Sequence, residues 1–187
     1  MLFDEPHHPP GGKLPVRWED FSRSDSRWRR EHADSLFALD SSEDPPVIQL
    51  NSGIPQAYSV LQSHGTRGMK ARIRDATYST IVHQVWSSLL AIALAELAGT
   101  VVWPEEEHLD PEERLGRMGG WQQSIVRDWS IYLYPDRDPE AALEEVVSAA
   151  DDARKMTDVM SRLPNAIQKR LRTGRGFEGL VREAEGI

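Results

Sequence analysis

The stretch ATYSTIVHQVWSSLLAIALA, residues 76–95, has no charged side chain in twenty positions, and its reading decides the fold. Twenty residues is the length of a membrane span, and basic residues precede this run. Seven of its positions are nevertheless polar: Thr77, Ser79, Thr80, His83, Gln84, Ser87 and Ser88. Hydroxyls, an amide and an imidazole make poor lipid-facing groups. On a helical wheel, Thr80, Gln84, Ser87 and Ser88 gather on one side. Ile81, Val82, Val85, Trp86, Leu89, Ile92 and Ala93 gather on the other. The segment from Thr66 to Ala98, closed by Gly99, therefore reads as the central helix of a bundle. Its weakly polar side is expected to lie under another element or a partner.

Upstream, SHGTRGMKARIR (63–74) carries Arg67, Lys70, Arg72 and Arg74 and no acid, in a chain of formal net charge −8. Arg67, Lys70 and Arg74 are spaced i, i+3, i+7 and share a helix face, the arrangement a phosphate-tracking surface wants. Cations at a helix N-terminus oppose the macrodipole, so an acidic counterpart is expected. EEEHLDPEE (105–113) and the acidic start of the helix after Asp138 are the internal candidates.

Downstream, Trp121, Ile125, Trp129 and Leu133 are spaced by four and mark the buried edge of a helix that Pro135 stops. Asp138 as N-cap and Pro139 at the first helical position open another, read as continuous to Leu163. Pro164 is then expected to open a last helix through Leu171. Toward the N-terminus, the prolines and glycines of residues 6–15 forbid regular structure at the start. Residues 1–46 read as an arm with one short amphipathic helix, capped by Ser24 or Ser26. VIQLN (47–51) reads as a short strand, with TVVW (100–103) as the only other β-like run.

A chain of 187 residues with 39% hydrophobic and 28% charged content fits one domain with appendages. The absence of cysteine removes disulfides, thiol nucleophiles and Cys-based metal sites. The first residues have no basic n-region or apolar h-region, which argues against a signal peptide. Of 22 basic residues 18 are Arg, a bias expected of a GC-rich bacterial genome. GRGFEG (174–179) spells G-x-G-x-x-G but lacks the preceding strand and following helix of a dinucleotide site. Glu105-x-x-His108 is half of a carboxylate–His metal pattern, without its second half. His83 has no companion ligand at helical spacing and reads as hydrogen-bonded within the fold. No catalytic residue, cofactor or metal is assigned.

The expected fold is all-α: an irregular bundle of about five helices around the helix over 66–98. It carries an extended N-terminal arm and at most one short two-stranded β pairing. The expected organisation is an arm (1–46), a helical core (47–173) and a tail (174–187). The expected function is that of a non-catalytic subunit of a bacterial cytoplasmic complex. It would bind a larger protein through Trp18, Phe21, Trp28, Arg29 and Arg30 and through its charged helix faces. The alternative is a nucleic-acid-contacting accessory subunit. This would use Arg67, Lys70, Arg74, Lys169, Arg170, Arg172 and Arg175, which serve equally against an acidic surface. An enzyme with an unrecognised site, using His83 or His108, is the third reading. No membrane or small-molecule partner is expected.

Overall fold

The computed structural model describes residues 14–99 and 110–173. TVVW, Glu105, His108, GRGFEG and Arg175 lie outside the described residues. The chain divides into two compact units, one up to Val85 and one from Trp86. The protein is largely helical, but it is not all-α. Its described residues form seven α-helices and one mixed three-stranded sheet.

The sheet belongs to the first unit and is ordered β1-β3-β2. β1 (Val16–Glu19) runs parallel to β3 (Val47–Asn51), and β2 (Phe37–Asp40) runs antiparallel to it. The register puts Trp18, Leu50 and Phe37 on one face together with Val16, Ile48 and Leu39. Arg17, Glu19, Val47, Gln49, Asn51, Ala38 and Asp40 take the other. All five residues of β3 are buried, as expected of a central strand covered on both sides. Onto the second face one side chain reaches from α1 (Arg27–Glu31), which Ser26 caps. Its Arg29 reaches Glu19 Oε2 at 2.9 Å and Asp40 Oδ2 at 3.0 Å. One guanidinium thus joins the two outer strands across the middle one.

VIQLN is therefore a strand, but its partners come from the segment read as an arm. The expectation of an all-α bundle with an extended arm fails there. VRWE and FALD are four residues each, too short to show a period-2 signal among charged neighbours. Their pairing with β3 is set by a side chain instead. Asn51 is fully buried. Its Oδ1 accepts from Phe21 N–H at 3.2 Å and Gly53 N–H at 2.9 Å. Its Nδ2 donates to Ala33 O and Ser35 O, each at 2.9 Å. The exit of β1, the approach to β2 and the exit of β3 are pinned by one amide. Gly53 completes this knot, because a Cβ there would meet Asp20 Oδ1 at 2.5 Å.

After α2 (Ala57–Leu61), α3 (Met69–Gly99) contributes its residues up to Val85 to the first unit and the remainder to the second. By length and composition it is able to cross a membrane, yet 44% of its most apolar window is buried inside the protein. The second unit adds α4 (Pro111–Leu115), α5 (Gly120–Leu133), α6 (Pro139–Ala149) and α7 (Ala153–Leu171). Asp138 caps α6 as expected, accepting from Ala141 N–H at 2.9 Å. The continuous helix expected to Leu163 is instead broken. Asp152 accepts from Arg154 N–H at 2.7 Å and starts α7 anew. Pro164 starts nothing and sits inside α7. Val159 and Leu163 before it and Ala166 and Ile167 after it are all buried. This apolar stripe carries the helix through a residue that lacks a donor.

Arg114 of α4 is buried and forms a two-pronged pair with Asp151, one prong at 2.8 Å. It also donates to Val147 O at 3.3 Å, a carbonyl near the C-terminal end of α6 that already accepts from Ala150 N–H. The Arg114 hydrogen bond holds the Asp151 carboxyl below the usual carboxylate range, against the opposing effect of burial.

Two measurements test these connections. Asn51→Ala removes one buried and three half-buried hydrogen bonds and is expected to lower unfolding free energy by about 2–4 kcal/mol in urea titration, at unchanged m-value. A loss under about 1 kcal/mol would show that the amide is not the organising bond. Asp151 contributes stability that is full above its unfolded pKa, near 3.9, and that fades as pH falls through the lower folded value. Asp151→Asn should therefore be less stable than wild type at pH 7, with the gap closing below about pH 4. A gap independent of pH between 3 and 7 contradicts the assignment.

Candidate protein-docking surface

The first half of α3 has two faces of different kinds. Its inner line is Ala71, Arg74, Tyr78, Ile81 and Val85, at helical spacing of three and four. Ala71, Arg74, Ile81 and Val85 are buried. Arg74 bonds Ser63 O and, at 2.9 Å, Gly65 O, and it pairs with Asp75 at 2.7 Å. Tyr78 Oη donates to Leu61 O at 2.9 Å, and burial pushes its hydroxyl pKa up. These two side chains hold the connection from α2 beneath the helix. Gly68, at φ +89°, lets the chain turn into α3.

The outer line is Met69, Ile73, Ala76, Thr80 and Gln84, all exposed. Met69 is 71% and Ile73 49% exposed. The hydroxyl of Thr77 donates to Ile73 O at 2.7 Å and that of Thr80 to Ala76 O at 3.1 Å. Both hydroxyls are spent on their own helix. Beside this line lies an open groove of about 460 Å³, lined by Ser35, Leu36, Phe37, Thr77, Thr80, Ile81 and Gln84. None of these seven ionises. Lys70, at i−7 from Thr77 and i−14 from Gln84, puts one cation on the same side of the helix. Arg67 and Lys70 are exposed and make no ion pair among the described residues.

The residues singled out from sequence are dispersed. Of the first set, Trp28 is 53% exposed and stacks on His32 with ring centroids 4.8 Å apart. Trp18 is half-buried, edge-on to Tyr58 at 4.9 Å. Phe21 is fully buried, Arg29 joins β1 and β2, and Arg30 donates to Asp25 O at 2.9 Å. Of the basic set, Arg74 is turned inward. Lys169 in the last turn of α7 and Arg172, its C-cap, are exposed, whereas Arg170 is not available beside them. Its guanidinium stacks over Trp129 at 4.5 Å and Tyr132 at 4.8 Å. It also donates to Asp128 O at 3.2 Å. Burial pushes the Arg170 pKa down. His83 is half-exposed. No group of three or more His, Asp or Glu that could hold a metal ion occurs among the described residues.

Met69 and Ile73 were not legible as surface from their residue types. The signal that finds them is the charge-free run they lead into, whose outward side is visible from the wheel. No protein-family model matches the chain, and neither a curated protein nor a solved structure matches it.

Arg170 provides a check on the inward arginines. Arg170→Ala is expected to destabilise the protein by about 1–3 kcal/mol and to change tryptophan fluorescence. Because its direct contacts are rings and a carbonyl, with the Asp128 carboxyl acting on it only through space, the loss should depend only weakly on salt. A loss that shrinks steeply with salt would assign Arg170 to an ion pair instead.

Proposed function

We propose that this protein is a non-catalytic subunit that docks a larger protein on the outer line of α3 and the adjoining groove. The observation that carries the reading is the exposure of Met69 and Ile73 on an outer line of α3 whose own five residues carry no charge. The side chains of Met and Ile each gain roughly 1.5–3 kcal/mol when fully buried. A monomer leaves that free energy unused here, on a helix whose opposite side is packed. Thr77 and Thr80, with their hydroxyls already bonded, present mainly methyl groups to an incoming surface. The half-exposed Trp18 and exposed Tyr58 supply a further aromatic contact in the same unit. The phosphate-tracking alternative has less support, because Arg74 and Arg170 are both engaged internally.

The test is affinity purification from the native host with the bound proteins and nucleic acids identified. Wild type should recover a stoichiometric protein that Met69→Glu with Ile73→Glu loses, at unchanged circular dichroism. Both residues are exposed, so the double variant is expected to fold. A recovered protein set unaffected by this variant overturns the reading. So does salt-sensitive nucleic acid that is lost only on Arg67→Glu with Lys70→Glu.

A further inference from the structure

β2 is an edge strand, and its open side adjoins the groove. Asn51 N–H donates to Leu36 O at 2.9 Å, so Leu36 faces β3. In an antiparallel ladder, successive residues alternate between facing the partner and facing away. Ala38 and Asp40 therefore also face β3. The backbone N–H and C=O of Phe37 and Leu39 point to the open side, where no strand lies among the described residues. Proteins usually blunt such an edge with charge, proline or a bulge. β2 is short, but its paired residues Phe37 to Leu39 carry no charge, proline or bulge, and the charge of Asp40 is spent on Arg29. The side chain of Phe37 is on the same sheet face as Leu50 and lines the groove with Ile81 of α3. An edge strand, a flanking helix and an apolar trough between them are thus assembled in one unit.

We infer that the occupant is an extended segment of the partner protein, which adds to β2 as a fourth strand. This rests on the docking reading above and specifies its chemistry. The open amides and carbonyls of Phe37 and Leu39 are about 7 Å apart along the strand, a spacing only another extended chain matches group for group. Alternate side chains of that segment drop into the trough of Leu36, Phe37 and Ile81. They are apolar, because no lining residue ionises. Lys70, two turns before Thr77 on the trough's side of α3, and Arg67, three residues earlier, are exposed and make no ion pair among the described residues. The segment therefore carries Asp or Glu at the end lying toward them. A second copy of this chain fits less well: the acid its own β2 offers, Asp40, is already paired with Arg29.

The test uses a displayed library of random ten-residue peptides selected on the full chain. Enriched peptides should alternate apolar residues and carry an acid at one flank. They should bind at least tenfold more weakly to Thr80→Lys, which fills the trough, and to Lys70→Glu. Leu39→Pro removes only an outward-facing donor, a place where an edge strand tolerates proline. It too should weaken binding tenfold, and N-methylation of alternate peptide amides should do the same. If Leu39→Pro fails to fold, Thr80→Lys and the N-methylated peptides decide. Failure to enrich any peptide, or peptides indifferent to these changes, overturns strand addition. In that case loss of the partner on Met69→Glu with Ile73→Glu still leaves docking on α3 standing. A concentration-dependent dimer in sedimentation that Thr80→Lys dissolves would make the occupant a second copy and also overturns the inference.

Discussion

The amide of Asn51 is the constraint on which the first unit depends. Among the described residues it is the only buried side chain in the sheet that bonds segments from beyond all three strands. An amide alone offers two donors and two acceptor sites at one position; Asp would face the carbonyls of Ala33 and Ser35 with lone pairs, and Leu would leave four groups unpaired. Parallel pairing of β1 with β3 closes a loop of about thirty residues, an entropic cost that a four-residue strand repays poorly. The knot at Asn51 offsets that cost at the sheet end where the three connections meet. Arg29, joining Glu19 to Asp40, does the corresponding work across the outer strands. The Asp40 carboxyl is held below its usual range first by the Ser42 hydroxyl and also by Arg29, so the join is between charged partners at neutral pH.

From this sheet follows the character of α3. Its inner line must supply Ile81 and Val85 to the core and the polar reach of Arg74 and Tyr78 to the connection below. No sequence position is left over there for ordinary surface residues. The outer line, in contrast, has no packing duty, and its lack of charge is a choice that packing does not explain. Exposed helix faces in soluble proteins are usually charged. A face that is neither buried nor charged is what a surface looks like when its cover comes from another molecule.

The helical parts were legible because their signals are local. The wheel separates the faces of α3 correctly, the four-residue spacing from Trp121 to Leu133 finds α5, and Asp138–Pro139 starts α6. What failed was either non-local or contested. The strands needed Asn51, whose role as a hub depends on where Phe21, Ala33 and Ser35 come to rest. The break before α7 depended on Asp152 acting as a cap within a run that also suits a helix interior. Pro164 reads as a helix start by rule, but the buried stripe from Val159 to Ile167 outweighs it. The candidate surface was half legible: the wheel showed an uncharged side in need of a cover, while the groove required β2 and so was out of reach.

The arginine excess has a structural sense that the charge map alone hides. Arg74, Arg114 and Arg170 each turn the planar fork toward carbonyls, a carboxylate or aromatic rings inside the fold. Lys, a point charge without a fork, serves such positions poorly. Counting basic residues along the chain therefore overstates the positive surface, and the stripe from Arg67 to Arg74 shortens to Arg67 and Lys70. On an acidic protein that remnant is a local exception at one end of an uncharged trough. A wholly basic partner gains nothing from the trough, and a polyanion finds too few adjacent cations to track. An apolar segment with a single acidic end engages both features, and the field of Arg67 and Lys70 then sets the direction in which it lies.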